Sequence, residues 1–413
     1  PCDRRYHAQP VACPACGPQL AYEPRGPAGP RLGGTDVVLA AVQRVFADGG
    51  VVAVKGLGGY HLACDATDDV AVATLRERKG RGAKPFAVMV PDLDAARSLA
   101  SVDPTEAGAL VSPARPIVLL SARPDTPLAA AVAPDNPLVG VMVAYTPLHH
   151  LLFRGVPGTD VDPPRVLVMT SGTRSDEPIC FDDDDARVRL ADLADAFCTH
   201  DRPIEVPCDD SVVRVVAGEV QPIRRSRGYA PVPVRLPFDA PPVLGVGGEL
   251  KNTCCVASGR HAWVGQHIGD MEHLATLSAF AASVEAFTTM YRARPVAYGV
   301  DRHPGYLTRR WALERVGREH GDRAPDGRDG GDGVTGSDGD GVRIVDVQHH
   351  HAHVAAAMAE HGLAVADEVL GFSFDGTGYG EADDGTAQIW GGEVLVAGYA
   401  GFERVAHLRP LPL

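Results

Sequence analysis

The sequence has few basic residues and no long apolar run. Lys and Arg total 39 against 53 Asp and Glu, which gives a formal net charge of −14. This balance argues against a protein that coats nucleic acid, because phosphate binding needs a basic face, although it leaves room for a local basic cleft. No run of about 18 apolar residues occurs, so no transmembrane helix is expected. The polar start, Pro1 to Arg5, leads into no apolar signal core, and we predict a cytoplasmic protein.

Cysteine is also sparse. Nine cysteines are scattered along 413 residues, which does not resemble a disulfide framework. Cys13 and Cys16 alone have metal-ligand spacing. Two thiolates can hold one Zn²⁺, but a closed structural site needs four ligands, so two free thiols are the alternative.

The length predicts two large domains and a short N-terminal piece. Apolar runs predict buried strands, and amphipathic stretches between them predict helices, so we expect a mixed α/β fold. Predicted strands include 51–54, 86–90, 116–120 and 165–170, and predicted helices 36–47, 70–79 and 273–291. We place domains at 1–33, 34–236 and 240–413, with a proline-rich joint at 237–242 and a disordered Gly- and Asp-rich insertion at 318–341.

Three segments of the predicted α/β domain have the composition of an anion pocket. They are Lys55 to His61, with Gly58 and Gly59; Lys79 to Pro85, with Arg81 and Lys84; and Thr170 to Thr173, with Ser171 and Gly172. Glycines let backbone N–H groups approach phosphate oxygens, and Lys and Arg neutralise them. Each segment alone is more often an ordinary turn or a solvated basic face. Together, at predicted loops of one domain, they indicate a nucleotide or anion pocket.

Histidines and an aspartate predict a second site. His349 and His353, in a run of four histidines within five residues, share one face of a helix at i and i+4. Asp375 ends a predicted strand and precedes a turn with Gly376 and Gly378. These side chains suit one metal ion, while packing and a capped hairpin turn are the alternatives. Gly247 and Gly248, before Asn252, match a phosphate hairpin of the actin-like ATPase architecture or an ordinary hairpin.

Together these motifs resemble the HypF family of carbamoyltransferases. Arg4 to Pro18 is similar to the end of its zinc-finger segment, residues of about 36–235 to its YrdC-like domain, and residues from about 243 to its carbamoyltransfer domain, which shares a superfamily with tRNA threonylcarbamoyl transferases. Pro207 departs from the family pattern, where an arginine is expected. The resemblance implies a chain truncated at both ends. An acylphosphatase domain and a second Cys pair would precede it, and a further aspartate ligand and nucleotide loop would follow.

The resemblance also implies a reaction. Carbamate derived from carbamoyl phosphate would react with ATP, bound with Mg²⁺, to give carbamoyl adenylate, and the carbamoyl group would pass to the C-terminal cysteine of a HypE-like acceptor. Lys55, Lys79, Arg81 and Lys84 would carry the first step by positioning and charge neutralisation. Nucleotide or carbamate contacts would come from Gly58, Gly59, Ser171, Gly172, Ser211, Arg225, Gly247, Gly248, Asn252, Gly376 and Gly378. His349, His353 and Asp375 would hold a divalent metal of unknown identity, and Cys13 and Cys16 zinc.

Three alternatives stay open from the sequence. A fused enzyme of tRNA threonylcarbamoylation would carry similar motifs. A double-stranded-RNA-binding module would use the basic cleft, against the acidic balance of the chain. A fragment could also keep the motifs and yet be inactive in the transfer step.

Overall fold

The computed structural model describes residues 17–26, 31–174, 177–321, 341–382 and 386–409. Cys13, Cys16 and most of the predicted insertion lie outside the described residues. The chain divides into two compact units, Pro1–Tyr229 and Ala230–Leu413. In the described part, no helix combines the length and apolar character needed to cross a bilayer.

The first unit has helices α1 to α6 and a 3₁₀ turn. The helices are Thr35–Ala47, Asp69–Lys79, Leu93–Leu99, Pro104–Val111, Pro147–Leu152 and Asp183–Arg189, and the turn is Ala130–Val132. Local sequence explains their ends. Asp68 caps α2 by accepting from the N–H groups of Val70 and Ala71, and Gly80, at φ 60°, ends it in the left-handed region.

Strands β1 to β12 of the first unit form one mixed sheet. They are Leu20–Pro24, Leu32–Gly33, Val52–Lys55, Tyr60–Asp65, Ala87–Val90, Ala100–Ser101, Ile117–Ala122, Leu138–Val143, Leu167–Ser171, Ala196–His200, Val212–Val216 and Glu219–Arg224. The order is β12-β11-β7-β8-β5-β9-β4-β3-β10-β1-β2, and β6 pairs with β7. Strands β4 and β9 are antiparallel and pair His61 with Ser171, which brings two of the predicted anion segments side by side. Buried aliphatic residues on both faces of the sheet form the core.

The described residues of the second unit form two sheets and three helices. Its strands β13 to β19 are Val234–Gly245, Cys255–Val264, Ala297–Asp301, Arg343–Val347, Val369–Glu381, Ala387–Ala397 and Phe402–His407. Helices α7 to α9 are Leu274–Met290, Leu307–Gly321 and His349–Glu360. The sheet orders are β14-β13-β15-β16 and β17-β18-β19. Strands β15 and β16 are parallel neighbours. Asp301 is the last residue of β15, and His349 begins α9 just after β16, so the two residues lie at the same edge of the sheet.

The structure confirms most of the predicted elements and differs at three. The proline-rich segment 237–242 is not a joint but lies inside β13, where the pairing with β14 shifts register, because proline is tolerated at strand irregularities. Residues 318–321 belong to α8, although the prediction placed them in the insertion. The glycines after Asp375 lie within β17, at a shift of register between Phe374 and Gly378, instead of in a turn that follows a strand.

Candidate functional site

Two of the predicted anion segments are in direct contact in the first unit. The Gly56 N–H donates to the Gly59 carbonyl at 2.8 Å, which closes the turn after β3, and the Gly172 N–H donates to the Tyr60 carbonyl at 2.6 Å. A Cβ on Gly172 would lie 2.7 Å from that carbonyl oxygen, so this approach of the two loops requires glycine. Ser171 and Gly172 therefore lie beside the Lys55–Gly59 turn.

The ammonium groups of Lys55 and Lys79 are held by protein oxygens. Lys55 is 2% exposed, and its Nζ lies 2.7 Å from Asp183 and donates to the His200 carbonyl at 3.0 Å. The Nζ of Lys79, which ends α2, donates to the Ser171 carbonyl at 2.8 Å and to the Thr173 carbonyl. These hydrogen bonds link the end of α2 to the loop that follows β9.

Burial changes the proton affinity of Lys79. Desolvation, together with the positive charges of Arg81 and Lys84, lowers the pKa of Lys79 to about 7, against the opposing charge of Asp209. Lys79 therefore loses its proton more readily than an exposed lysine does. An incoming phosphate would favour its charged form, so anion binding here would be coupled to proton uptake.

Arg81 and Lys84 lie on the loop after α2. The Arg81 guanidinium donates to the Pro85 carbonyl at 2.8 Å and lies 4.8 Å from the centre of the Phe86 ring. The Lys84 side chain is exposed. The structure therefore places both cations near Lys79, with Lys84 on the surface.

A third segment joins the same region through the backbone. The Cys208 N–H donates to the Gly58 carbonyl at 2.8 Å, and a Cβ on Gly58 would overlap the Cys208 carbonyl. The Ser211 hydroxyl accepts from the Ser226 N–H at 2.8 Å and donates to the Arg227 carbonyl at 2.9 Å. Gly59 packs against Ile179. Arg225 precedes Ser226, so Ser211 and Arg225 lie on the two segments joined by this hydroxyl.

The predictions from sequence missed a buried polar network beside these loops. Asp210 accepts from His61 at 2.8 Å, from Arg227 at 2.7 and 3.0 Å, and from the Tyr145 hydroxyl at 3.2 Å. His149 packs edge-on against the Tyr145 ring at 4.5 Å. One signal was available in the sequence, because a histidine inside the apolar strand β4 needs a polar partner.

In the second unit, the glycine hairpin is closed by Asn252. Its side-chain amide is 1% exposed and donates to the Val246 carbonyl at 2.9 Å and the Gly248 carbonyl at 2.7 Å. Gly247 has φ +74°, a conformation that favours glycine. A Cβ on Gly248 would lie 3.5 Å from His349 Cε1. The hairpin therefore borders the histidine cluster.

His349, His353 and Asp375 are close together. The Nε2 atoms of His349 and His353 are 3.0 Å apart, and Asp375 Oδ2 lies 3.7 Å from His349 Nε2. Asp301, which the sequence did not single out, lies 2.7 Å from His349 Nδ1, and this hydrogen bond raises the pKa of His349. Burial lowers the pKa of His353, as does the neighbouring His349.

The donor set fits a metal ion only in part. Two imidazole nitrogens 3.0 Å apart, each bound at about 2.1 Å, would form an angle of about 90° at one ion, which suits octahedral coordination better than the tetrahedral coordination typical of zinc. Among the described residues, however, no group of three or more His, Cys, Asp or Glu side chains is arranged to hold an ion. Asp375 instead accepts from the Gly376 N–H at 2.7 Å. Gly378 lies against His350 of α9, so its role here is to allow close packing, and Gly376 has open space beside it.

Comparisons with known proteins agree with this architecture. The Sua5, YciO and YrdC family model, described as "Telomere recombination", matches residues 44–226. The HypF Kae1-like domain matches 238–360, the second subdomain of the Kae1-like carbamoyltransferase domain matches 371–413, and the HypF finger matches 1–22. The chain is thus a mixed α/β protein that joins a YrdC-like domain to a Kae1-like domain, and the expected fold class is confirmed.

Several similar proteins are named carbamoyltransferase HypF. The protein of Rhodobacter capsulatus is 43% identical over 421 residues, which cover 100% of this chain and 51% of the relative. That of Synechocystis is 41% identical, covering 88% of this chain and 43% of the relative. A crystal structure of full-length HypF in the phosphate- and nucleotide-bound form matches with a TM-score of 0.81 at 40% identity, over 98% of this chain and 48% of that one. The chain belongs to the HypF carbamoyltransferase family, and it spans about half the length of the curated relatives it matches.

Proposed function

We propose that the first unit joins carbamate to ATP, and that the second unit passes the carbamoyl group to a cysteine of a HypE-like acceptor protein. The naming of the relatives as carbamoyltransferases supports the reaction class. The phosphate- and nucleotide-bound state of a solved relative supports a nucleotide as substrate. Carbamoyl phosphate would be the source of the carbamate.

One observation carries the first step, namely the meeting of the Lys55–Gly59 turn, the Ser171–Thr173 loop and the Cys208–Ser211 segment. Separate loops that bond to one another around buried lysines have the construction of a phosphate pocket. Gly58, Gly59 and Gly172 would bring the backbone near the phosphates, and Ser171, Ser211 and Arg225 would bind nucleotide or carbamate.

The chemistry of the first step is a displacement at phosphorus. A carbamate oxygen attacks the α-phosphorus of ATP, the bond between that phosphorus and the bridging oxygen to the β-phosphate breaks, and pyrophosphate leaves. Mg²⁺, when bound with the ATP, would supply further neutralisation of the phosphate charge. Lys79, Arg81 and Lys84 would neutralise the charge that grows on the leaving group, and Lys55 would hold the turn in place. The pocket contributes mainly positioning and charge.

The second step is carbamoyl transfer. The acceptor thiolate attacks the carbamoyl carbon of carbamoyl adenylate, a carbon–sulfur bond forms, the bond between that carbon and the phosphate oxygen of AMP breaks, and AMP leaves. Gly247, Gly248 and Asn252 would shape a nucleotide site next to His349, with Gly376 and Gly378 on the neighbouring strand. His349, His353 and Asp375 would hold a divalent metal, which when bound would polarise the carbamoyl carbonyl. Cys13 and Cys16 would contribute ligands to a zinc site.

ATP–pyrophosphate exchange tests the first step. The chain, supplied with carbamate, ATP and Mg²⁺, should incorporate labelled pyrophosphate into ATP, and omission of carbamate should abolish the signal. A well-folded sample without carbamate-dependent exchange would refute the proposal. Threonine with bicarbonate, in place of carbamate, is the matched control. Exchange that occurs with threonine and bicarbonate but not with carbamate would favour tRNA threonylcarbamoylation.

A further inference from the structure

We infer that the buried network of His61, Asp210, Arg227 and Tyr145, called here the Asp210 network, positions the loops of the nucleotide pocket and thereby sets the affinity for ATP. The inference rests on the proposed function and extends it to side chains that hold the pocket without binding the nucleotide. None of the four contacts the substrate in the proposed reaction, so each is a positioning residue.

Both oxygens of the Asp210 carboxylate accept hydrogen bonds from other members of the network. One oxygen accepts from Arg227 Nη2 at 2.7 Å, from Arg227 Nε at 3.0 Å and from the Tyr145 hydroxyl at 3.2 Å, and the other accepts from His61 Nε2 at 2.8 Å. Asp210 is 8% exposed. Burial alone would raise its pKa, but the charges and hydrogen bonds of His61 and Arg227 hold the pKa of Asp210 far below its usual range. The network therefore favours the ionised form of Asp210.

Arg227 extends the network to a further loop. Its Nη1 and Nη2 donate to the carbonyls of Ala114 and Arg115, each at 2.9 Å, and its guanidinium lies 3.7 Å from the centre of the Tyr145 ring. The planar guanidinium is thus held by several hydrogen bonds at fixed angles. It therefore links the position of Asp210 to that of the Ala114–Arg115 loop.

The network is joined directly to pocket residues. Asp210 precedes Ser211, whose hydroxyl links the Ser226 N–H to the Arg227 carbonyl. The His61 ring packs on the Lys55–Gly59 turn, because a Cβ on Gly56 would lie 2.9 Å from His61 Nδ1. One carboxylate therefore connects the turn that carries Gly58 and Gly59 with the two segments that carry Ser211 and Arg225.

Stability alone is a weak reason for such a network. Buried ion pairs lose hydration that their mutual attraction often fails to regain, and apolar side chains of similar volume frequently replace them without loss of stability. A buried charge that accepts four directional hydrogen bonds from three side chains does fix geometry. The network therefore acts on the arrangement of the loops, and loops that are no longer preorganised would bind the phosphates of ATP less tightly, because ordering them would then cost binding free energy.

The test separates loop position from stability. Asp210→Asn and His61→Ala should raise the KM for ATP in the exchange assay about 10-fold or more, with a smaller fall in kcat. His61→Gln, which can place an amide N–H near the position of Nε2, should restore most of the affinity. Asp195→Asn is the matched control. Asp195 accepts from the Val51 N–H and from Arg78, each at 2.9 Å, in the same unit and outside the network, so its loss should leave the KM unchanged.

Hydrogen exchange supplies a readout that does not need activity. In His61→Ala, the amides of Cys208 and Ser226 should exchange faster than in the wild type, while the far-ultraviolet circular dichroism stays the same. A folded Asp210→Asn protein with wild-type KM and unchanged exchange at both amides would overturn the inference. If the wild type lacks pyrophosphate exchange, the proposed function fails, and protection of the two amides alone decides whether the network positions the loops.

Discussion

The two candidate sites differ in the hydrogen-bond partners of their ionisable side chains. In the first unit, Lys55 and Lys79 are buried and bonded to protein oxygens, and the loops around them are bonded to one another. In the second unit, His349 and His353 turn ring nitrogens toward each other at 3.0 Å, with Asp375 nearby. The first site is organised by the bonds of the chain itself. In the second, two ring nitrogens lie within hydrogen-bond distance of each other at the place where a cation would bind.

The difference has a physical consequence for ligand binding. A pocket whose loops are already bonded can bind phosphates with little rearrangement, so its affinity is set by preorganisation. Two imidazoles with facing nitrogens can accommodate a metal ion only after a proton leaves, so affinity there depends on the tautomer that Asp301 imposes on His349.

The largest expected effect concerns Lys79. Lys79→Met removes the cation and leaves the Ser171 and Thr173 carbonyls without its hydrogen bonds, so carbamate-dependent pyrophosphate exchange should fall by roughly 10² to 10³-fold in kcat/KM. Exchange kinetics measure this directly. Arg78→Gln is the control on the same helix, since its ion pair with Asp195, whose side chains are 27% and 33% exposed, lies outside the proposed pocket and should matter little. Equal activity of the two variants would show that the bonded lysine does not organise the first site.

Local patterns account for much of the fold and for part of the site. The cap at Asp68 and the glycine at Gly80 mark the ends of α2, and glycine next to lysine marked the anion loops. The Asp210 network could not be predicted from the sequence. His61 and Asp210 are 149 positions apart, and their contact can be inferred only from the order of the strands in the sheet. The pairing of His349 with Asp301 depends likewise on β15 and β16 being neighbours.

The next effect tests the second site. His349→Ala with His353→Ala should abolish stoichiometric binding of a divalent metal, and Asp301→Asn alone should weaken it about 10- to 100-fold, because a carboxylate on the far nitrogen orients a ligating histidine. Titration calorimetry with Zn²⁺ and elemental analysis of the purified chain give the affinity and the stoichiometry. His361→Ala, an exposed histidine just after α9, is the control for adventitious binding. Metal content that survives the double change would remove the proposed site and leave a hydrogen-bonded histidine pair.

The smallest effect is on the stability of the first unit at low pH. His149 is fully buried, and burial, with the charges of His61 and Arg227, lowers its pKa well below the usual 6.5. Below about pH 6.5 the unfolded chain binds a proton that the folded chain excludes, so the free energy of unfolding falls as the pH drops, by up to about 1.4 kcal/mol per pH unit.

His149→Phe should reduce this slope in urea unfolding followed by far-ultraviolet circular dichroism, whereas the exposed neighbour His150→Gln should keep it. All three tryptophans, Trp263, Trp311 and Trp390, lie in the second unit, so tryptophan fluorescence follows that unit in the same titration and should not distinguish the variants. Identical slopes for His149→Phe and His150→Gln would show that the buried histidine does not make the first unit acid-sensitive.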